Sequence, residues 1–238
     1  MTRAGVTIAV MAALGAVATA AKAAAVQRPA VVELYTSQGC SSCPPADALL
    51  GELSARSDVL ALAFHVDYWD ELGWRDRFGL PQSVQRQSQY ARRLGLASVY
   101  TPQMVIDGRI DVLGSDRRRV AELLAKPRSG VAIDALVQGH ELLVRFEEAP
   151  GTPPCDVFIV SFLPEAVTAV GRGENAGRAL REFNVVRSVR TLGTWNATAA
   201  QWRVALDTLP ADARSVAVLV QERATAAMVG ALSVSLQR

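Results

Sequence analysis

Cysteine is scarce in this chain, and its scarcity removes several classes of protein. The 238 residues include three cysteines, at positions 40, 43 and 155, too few for a small domain held together by disulfides. Zinc sites commonly need two C-x-x-C pairs, or one pair with two histidines. This sequence has one pair, and its two histidines, His65 and His140, fall in different predicted domains. Covalent haem attachment needs a histidine after the second cysteine, where this chain has Pro44.

An excess of one charge is also missing. The formal net charge is +2 and half of the residues are apolar. Without a basic stripe or an acidic tail we expect no nucleic-acid partner, and the composition is too apolar for a disordered chain. After residue 25 no stretch is long and apolar enough to span a bilayer. The length suits one large domain or two domains of about 100 residues.

The first 25 residues are predicted to be a signal peptide. Arg3 supplies a positive charge, an apolar run follows from Gly5 to Ala18, and small residues at 18–20 and 23–25 offer two cleavage sites. The alternative is an uncleaved membrane anchor, but the run is shorter than the ~20 residues that a span needs. We therefore expect the mature chain to be periplasmic or secreted, where disulfides persist, with no membrane span after signal removal.

Strand and helix patterns alternate from residue 30 onward. Two short apolar runs, at 30–35 and 59–66, predict buried strands. Between them, apolar residues from Ala46 to Leu53 recur at the spacing of one helix face. The prolines at 44 and 45 fit only the first turn of that helix, where their missing N–H groups are not needed. A second helix is predicted over 81–94.

A hairpin and a final helix complete the first half. Asp107-Gly108 is a strong turn signal between strands predicted at 104–106 and 110–113. Ser115 is expected to cap a helix over the residues that follow. The helical links between the first three strands allow parallel pairing. The prediction is therefore a mixed sheet with flanking helices.

Strand signals dominate the second half of the chain. The segment 126–130 breaks the earlier pattern and marks the predicted domain boundary. The predicted division is a signal peptide at 1–25, an α/β domain at 26–128 and an all-β, sandwich-like domain at 129–238. Strands are predicted at 131–137, 142–146, 157–162, 183–189, 202–206 and 216–221.

The pair Cys40-Ser41-Ser42-Cys43 lies between a predicted buried strand and the start of a helix. Unpaired N–H groups and the positive end of the helix dipole stabilise a thiolate at such a place, which lowers its pKa. We expect Cys40 to be the exposed attacking thiol and Cys43 the more buried resolving thiol. The alternative is a static disulfide across a tight turn.

A second feature, Thr101-Pro102 before the strand at 104–106, makes the chain resemble the thioredoxin superfamily. The resemblance implies a thioredoxin-like fold in which Pro102 is a cis-proline beside the cysteines and the Thr101 backbone pairs with an extended substrate. It also implies that Glu33, on the strand before the cysteines, is a buried acid that takes the proton of Cys43. The alternative for Glu33 is a solvated residue or an ion pair. Gly39 and Ser41-Ser42 depart from the residues typical of thioredoxin.

The chain is also similar to a narrower group, a bacterial family of secreted thioredoxin-like proteins known as the domain of unknown function 1223 group. The likeness rests on Ser37 to Pro45, Phe64 to Asp70 and Leu72 to Asp76, and it continues through Gly173-Glu174-Asn175 and Asn184 to Arg187, as far as Trp195. The likeness covers nearly the whole mature chain and implies a fold and a site, without an established substrate. Tyr68 and Trp69 are candidates for the wall of a substrate groove, with core packing as the alternative.

Three functions are compatible with these residues. The leading hypothesis is an exported thiol-disulfide oxidoreductase without a cofactor, whose partners are thiol- or disulfide-containing exported proteins and a redox partner. The second is a Cu(I)-binding protein that uses Cys40, Cys43 and His65, since soft thiolates select Cu(I). The third is a non-catalytic binding module with a structural disulfide. Cys155 is expected to be a buried free thiol, with a regulatory pairing to Cys40 as the alternative.

Overall fold

The computed structural model describes residues 26–236. The predicted signal peptide therefore lies outside the described residues. Within residues 26–236, none of the helices combines the length and apolar character needed to cross a membrane.

Thirteen strands and three α-helices make up the described part of the chain, and two short 3₁₀ turns lie between them. The helices are α1 (Pro44–Ser54), α2 (Pro81–Leu94) and α3 (Arg117–Leu124). The strands are β1 (Val26–Gln27), β2 (Ala30–Thr36), β3 (Val59–His65), β4 (Gln103–Ile106), β5 (Ile110–Leu113), β6 (Ser129–Gly130), β7 (Asp134–Gln138), β8 (Glu141–Phe146), β9 (Cys155–Ala169), β10 (Ala179–Trp195), β11 (Ala200–Ala205), β12 (Ser215–Glu222) and β13 (Met228–Ser235).

The main sheet contains eight strands in the order β13-β12-β9-β10-β3-β2-β4-β5. Strands β2 and β3 are parallel, whereas β4 is antiparallel to β2 and β5 is antiparallel to β4. The predicted mixed sheet with flanking helices is confirmed. The expectation that the third strand could also pair in parallel is wrong for β4. The chain that follows α2 enters β4 in the direction opposite to β2, so the two strands pair antiparallel.

Helix α1 covers one face of β2 and β3. Val32 and Leu34 of β2 share a hydrophobic cluster with Leu49 and Leu50 of α1, while Tyr35 lies in a cluster on the opposite face. This division follows from the alternation of side chains along a strand. It decides which polar residues lie on the same side of the sheet as α1.

The caps of the helices differ in one case from the prediction. Helix α3 is capped by Asp116, whose side chain accepts a hydrogen bond from the Arg119 amide at 3.0 Å. Ser115 precedes the cap, so the expected capping by Ser115 is wrong by one residue. An ionised carboxylate at this position also interacts favourably with the helix dipole.

The second half of the chain extends the same sheet. Strand β10 pairs with β3 where Val185 lies opposite Ala63, and β9, β12 and β13 continue outward from β10. Strands β11, β8 and β7 form a separate three-stranded sheet that shares an apolar cluster with β9 and β12. The predicted boundary at residues 128 and 129 therefore does not separate the sheets, although a strand-rich part follows it.

Candidate functional site

A disulfide joins Cys40 and Cys43 at the point where β2 leads into α1. The Cα atoms of the two cysteines are 5.4 Å apart. Cys43 is the N-cap of α1, and the two prolines that follow it occupy the first turn. Backbone hydrogen bonds from Cys40 N to Ser37 O and from Cys43 N to Cys40 O close the loop. The local sequence thus places both sulfurs at a helix N-terminus, as predicted.

The disulfide is covered, in contrast to the expectation for Cys40. Both cysteines have an exposed fraction of 0%, while the intervening Ser41 and Ser42 are exposed. The prediction of an exposed attacking thiol is therefore wrong for this oxidised state. Sequence reasoning placed Cys40 correctly before the helix but had no signal for the chain segment that packs over it.

The covering segment is the tip loop, residues 170–178, which joins β9 to β10. Its Asn175 is fully buried, and the side-chain amide donates hydrogen bonds to the carbonyl oxygens of Gln38 at 3.0 Å and Cys40 at 2.9 Å. Glu174 accepts a hydrogen bond from the Ser41 amide at 3.2 Å. Hydrogen bonding to Ser41 lowers the pKa of Glu174. The tip loop therefore holds the cysteine loop from above.

The peptide bond between Thr101 and Pro102 is cis. A Cβ atom added to Gly114 would lie 3.1 Å from Ala46 Cβ and 3.2 Å from Pro102 Cβ, so Pro102 lies near the first turn of α1. The hydroxyl of Thr101 accepts a hydrogen bond from Trp69 Nε1 at 2.9 Å. A Cβ atom added to Gly39 would lie 3.1 Å from the Cβ atom of Trp69. Trp69 thus lies next to Gly39, which precedes Cys40, and bonds to Thr101, which precedes Pro102. Through Trp69 the structure brings the cysteine loop and the Thr101-Pro102 segment together.

Tyr68 lies next to Trp69 at the edge of this region. Their ring centroids are 6.3 Å apart, and 39% of Tyr68 is exposed. The Tyr68 hydroxyl donates a hydrogen bond to Gln87 Oε1 at 3.3 Å. Tyr68 therefore offers an accessible aromatic surface beside Trp69, while Trp69 is held by its hydrogen bond to Thr101.

Glu33 is not brought to the cysteines. It shares the sheet face of Tyr35, opposite α1, because side chains alternate along β2. There Arg86 donates two hydrogen bonds to its carboxylate, at 2.5 and 2.8 Å. The hydroxyls of Tyr90 and Tyr35 donate two more, at 2.7 and 3.2 Å. Glu33 is the acceptor of a buried ion pair, which was the alternative to a proton-transfer role.

His65 belongs to a polar cluster on the α1 face, formed by the buried residues His65, Asp76 and Glu182 and by the half-buried Asp47. Its Nδ1 lies 2.7 Å from Asp76 Oδ2, and its Nε2 lies 3.8 Å from Glu182 Oε1. Burial lowers the pKa of His65, but the nearby carboxylates, led by Asp76, raise it overall to about 9. Burial by itself raises the pKa of Asp76, but His65 holds it below its usual range. The pair is therefore ionic at neutral pH.

Gln38 connects the cysteine loop to this cluster. Its amide N–H donates to Asp76 Oδ2 at 2.8 Å, and its side-chain Nε2 donates to Glu182 Oε1 at 2.8 Å. Its Oε1 accepts a hydrogen bond from Trp74 Nε1 at 3.0 Å. A residue two positions before Cys40 is thus bonded to strand β10 of the second half. Burial raises the pKa of Glu182.

Asp47 lies one helical turn after Cys43. The Thr36 hydroxyl, at the end of β2, donates a hydrogen bond to Asp47 Oδ1 at 2.8 Å. Burial raises the pKa of Asp47 to about 7, against a lowering effect of His65 and of the Thr36 hydrogen bond. This carboxyl is therefore present in both protonation states near neutral pH.

Sequence reasoning missed Asp47, Asp76, Glu182 and Asn175. A signal was available for Asp47, because it follows Cys43 by four residues and so shares its helix face. Asp76 and Asn175 lie within segments that carried the family resemblance, without any indication of their contacts. Glu182 lies close to Gln38 and His65 because β10 pairs with β3, and no local sequence pattern predicts that pairing.

The described part of the chain contains no set of side chains arranged to bind Cu(I), the metal of the second functional hypothesis. Among residues 26–236, no group of three or more histidine, cysteine, aspartate or glutamate residues is arranged to hold a metal ion. The sulfurs of Cys40 and Cys43 are bonded to each other, and His65 directs Nδ1 at Asp76. A Cu(I) site would require reduction of the disulfide and rearrangement of His65.

Cys155 is free and buried, in agreement with the expectation. Its Sγ donates a hydrogen bond to the Pro153 carbonyl at 3.0 Å, and burial raises its pKa to about 11. It belongs to the apolar cluster of the strand-rich part, whereas α1 packs in another cluster. The arrangement gives no support to a pairing with Cys40.

Comparisons with known proteins find one family and two solved structures. A family model described as "Protein of unknown function (DUF1223)" matches residues 31–221. A crystal structure of protein AGR_C_4864 from Agrobacterium tumefaciens is 30% identical, with a TM-score of 0.75, and the match covers 90% of this chain and 100% of that one. HBP35 of Porphyromonas gingivalis is 13% identical, with a TM-score of 0.60 over 89% of this chain and 76% of that one, a likeness of fold. The search of curated proteins found no match.

Proposed function

The chain belongs to the family described as protein of unknown function (DUF1223), and from its site we propose that it is a thioredoxin-like thiol-disulfide oxidoreductase. Its place of action is the periplasm or the exterior of the cell. Its substrates are exported proteins that carry thiols or disulfides, and a second redox protein restores its starting state. No cofactor is needed for this chemistry.

One observation carries the proposal. The Cys40–Cys43 disulfide lies at the N-terminus of α1, with Thr101 linked to the same loop through Trp69. A purely structural disulfide in a tight turn is not stabilised by ionisable groups near its loop, because the burial of such groups costs free energy. The polar cluster that begins at Gln38 and includes His65 therefore favours a reactive pair over a static one.

The reaction exchanges one disulfide for another. In the oxidising direction, a substrate thiolate attacks Cys40 Sγ, a substrate–Cys40 bond forms, and the Cys40–Cys43 bond breaks to release the Cys43 thiolate. A second substrate thiolate then displaces Cys40. Two electrons pass to the protein, which ends as a dithiol. The N-terminus of α1 stabilises the thiolate that forms, and Thr101 offers backbone groups to an extended substrate.

Burial of the disulfide adds a requirement to this proposal. Both cysteines are fully buried, so a substrate reaches Cys40 Sγ only after a local movement. The tip loop, whose Asn175 bonds to the Cys40 carbonyl, is the segment that we expect to move. The same burial favours a second candidate function, a binding module whose disulfide stays oxidised. The two candidates differ in whether the folded protein ever exchanges this disulfide.

Reduction of insulin by dithiothreitol, followed by turbidity, tests the oxidoreductase. We expect the mature wild-type chain to accelerate it, Cys155→Ser to behave like the wild type, and Cys40→Ser to lose the acceleration. Oxidative refolding of a reduced, disulfide-containing protein tests the opposite direction with the same three proteins. If wild type and Cys40→Ser are equal in both assays, the binding module is the correct function.

A further inference from the structure

Asp47 has a position that the proposed function does not yet use. It follows Cys43 by four residues in α1, and residues at this spacing lie on the same helix face with Cβ atoms about 5–6 Å apart. Helical side chains also tilt toward the N-terminus. The Asp47 carboxyl is therefore directed back toward the level of Cys43, and it is the acidic residue in the first turn of α1.

The surroundings hold this carboxyl in place. Thr36 donates a hydrogen bond to Oδ1 at 2.8 Å, and Thr36 lies opposite His65 in the pairing of β2 with β3. The α1 face of the sheet thus brings Asp47, Thr36 and His65 together at the carboxyl ends of the two parallel strands. The position is set by α1 and both strands, so it does not depend on a mobile loop.

The charges around Asp47 favour a state in which one proton is shared among the neighbouring carboxyl groups. The titratable groups whose charges act on the pKa of Asp47 are His65 from β3, Asp76 from the loop after β3, and Glu182 from β10. In this cluster protonated His65 is the cation, and Asp47, Asp76 and Glu182 are the three carboxyl groups. Carboxylates that lie close together away from water do not all ionise together. His65 Nε2 is buried and has no hydrogen-bond partner among the described residues, so the cluster is also incompletely satisfied.

We propose that Asp47 is the proton donor and acceptor for the Cys43 sulfur, directly or through one water molecule. The role rests on the exchange chemistry of the proposed function and names the group that serves it. His65, Asp76 and Glu182 are positioning residues that set the proton affinity of Asp47. Glu33, the acid expected from the sequence, lies on the opposite sheet face and is bound to Arg86.

The proton balance of the exchange follows directly. When a thiolate attacks Cys40 Sγ, the Cys40–Cys43 bond breaks and the protonated Asp47 gives its proton to the leaving Cys43 thiolate. In the reverse step, ionised Asp47 takes the proton of the Cys43 thiol, and the resulting thiolate attacks Cys40 in the mixed disulfide and releases the substrate thiolate. The raised pKa of Asp47, about 7, makes both protonation states available at neutral pH.

The rate of disulfide reduction by dithiothreitol between pH 5 and pH 9 tests this role. At each pH the rate of the wild type is divided by that of Asp47→Asn, which cancels the ionisation of the reductant. We expect a ratio of about ten at pH 5.5, which is below the roughly 10²–10⁴-fold that general acid–base catalysis typically contributes. The ratio should fall to about one or below by pH 9, with a midpoint near 7.

Two controls accompany the rate measurement. Asp47→Glu should restore the pH dependence of the ratio, because it returns a carboxyl to the site. Glu52→Gln removes an exposed carboxylate from the same helix and should match the wild type at every pH. A ratio that stays constant from pH 5 to pH 9 contradicts the proton-transfer role, even if Asp47→Asn is slower throughout.

A second measurement does not depend on how dithiothreitol reaches the sulfurs. The ¹³C resonance of the Asp47 carboxyl is titrated in the oxidised and in the fully reduced protein, and we expect its midpoint to change on reduction. Equal midpoints in the two forms overturn the inference. Neither measurement uses a protein substrate. A chain that fails on insulin but shows both effects therefore contradicts the proposed function and supports the role of Asp47.

Discussion

The buried side chain of His65 adds a pH dependence to the stability of this protein. The folded-state pKa of His65 is about 9, above its ordinary value of 6.5. The contribution of protonated His65 to the free energy of unfolding is therefore fully present below pH 6.5 and is lost as the pH rises through 9. We expect the wild type to lose up to about 3 kcal/mol of unfolding free energy between these limits. Urea unfolding at pH 6 and pH 9.5 measures the loss.

The matched comparison uses the other histidine. His65→Gln should lack this component of the pH dependence, whereas His140→Gln, at an exposed position, should retain it. Asp47 also has a raised pKa, but its contribution is lost between its ordinary value and about 7. The interval from pH 7 to pH 8.5 therefore isolates His65, because the Cys155 thiol, whose pKa is raised from 9.0 to about 11, contributes only at higher pH. Equal curves for His65→Gln and the wild type in that interval would refute the assignment.

Glu33 is predicted to matter for stability and not for the exchange reaction. Glu33→Ala leaves the buried Arg86 guanidinium without its carboxylate, which typically costs about 3–5 kcal/mol. Urea unfolding at pH 7 measures this loss. As a control, Glu165→Ala breaks the exposed pair with Arg181 and should cost less than about 1 kcal/mol. A Glu33 variant that is stable but alters the pH profile of disulfide reduction would contradict this assignment.

At the scale of elements, the tip loop between β9 and β10 is predicted to control access to the disulfide. Asn175→Ala removes the hydrogen bonds to the Gln38 and Cys40 carbonyls. The Cys40 carbonyl keeps its bond from the Cys43 amide, whereas the Gln38 carbonyl loses its side-chain donor, at a cost of about 1–3 kcal/mol. We expect disulfide reduction by dithiothreitol to become about tenfold faster, as quantified by thiol labelling. Arg172→Gln, at an exposed position of the same loop, should leave the rate unchanged. No acceleration in Asn175→Ala would mean that another segment limits access.

Local patterns predicted the elements near the site well. Helix α2 was expected over 81–94 and has those bounds, because proline and glycine mark its two ends. The long strands β9 and β10 were expected to be much shorter. Their outer parts pair with each other through many residues, and such pairing stabilises polar stretches that carry no strand signal of their own. Strand β13 was missed altogether.

At the scale of the whole molecule, the two halves of the chain form one sheet and meet at a second place. The hairpin turn at Gly108 packs against the backbone of Ala226, and a Cβ atom on Gly108 would overlap the Ala226 carbonyl oxygen. Gly108 also has a φ of +67°. Gly108→Ala therefore combines backbone strain with a steric clash between the halves.

A matched glycine separates these two effects. Gly139 has a φ of +60° but nothing within 4 Å of an added Cβ atom, so Gly139→Ala should cost only the backbone strain of about 1 kcal/mol. We expect Gly108→Ala to cost about 2–4 kcal/mol in urea unfolding, because overpacking adds to the strain. Equal losses in the two variants would show that this contact between the halves adds nothing.

The sequence by itself determined what depends on neighbouring residues. The place of Cys40 and Cys43 at a helix start, the apolar face of α1 and the Asp107-Gly108 turn all follow from spacing and backbone preference within a few residues. Only the tertiary structure decided which acid serves the site, because strand alternation turns Glu33 away while helix periodicity turns Asp47 inward. It also decided that Asn175 bonds to the Cys40 carbonyl and that Glu182 bonds to the Gln38 side chain. Those contacts join residues more than 130 positions apart in the chain, beyond the reach of any local pattern.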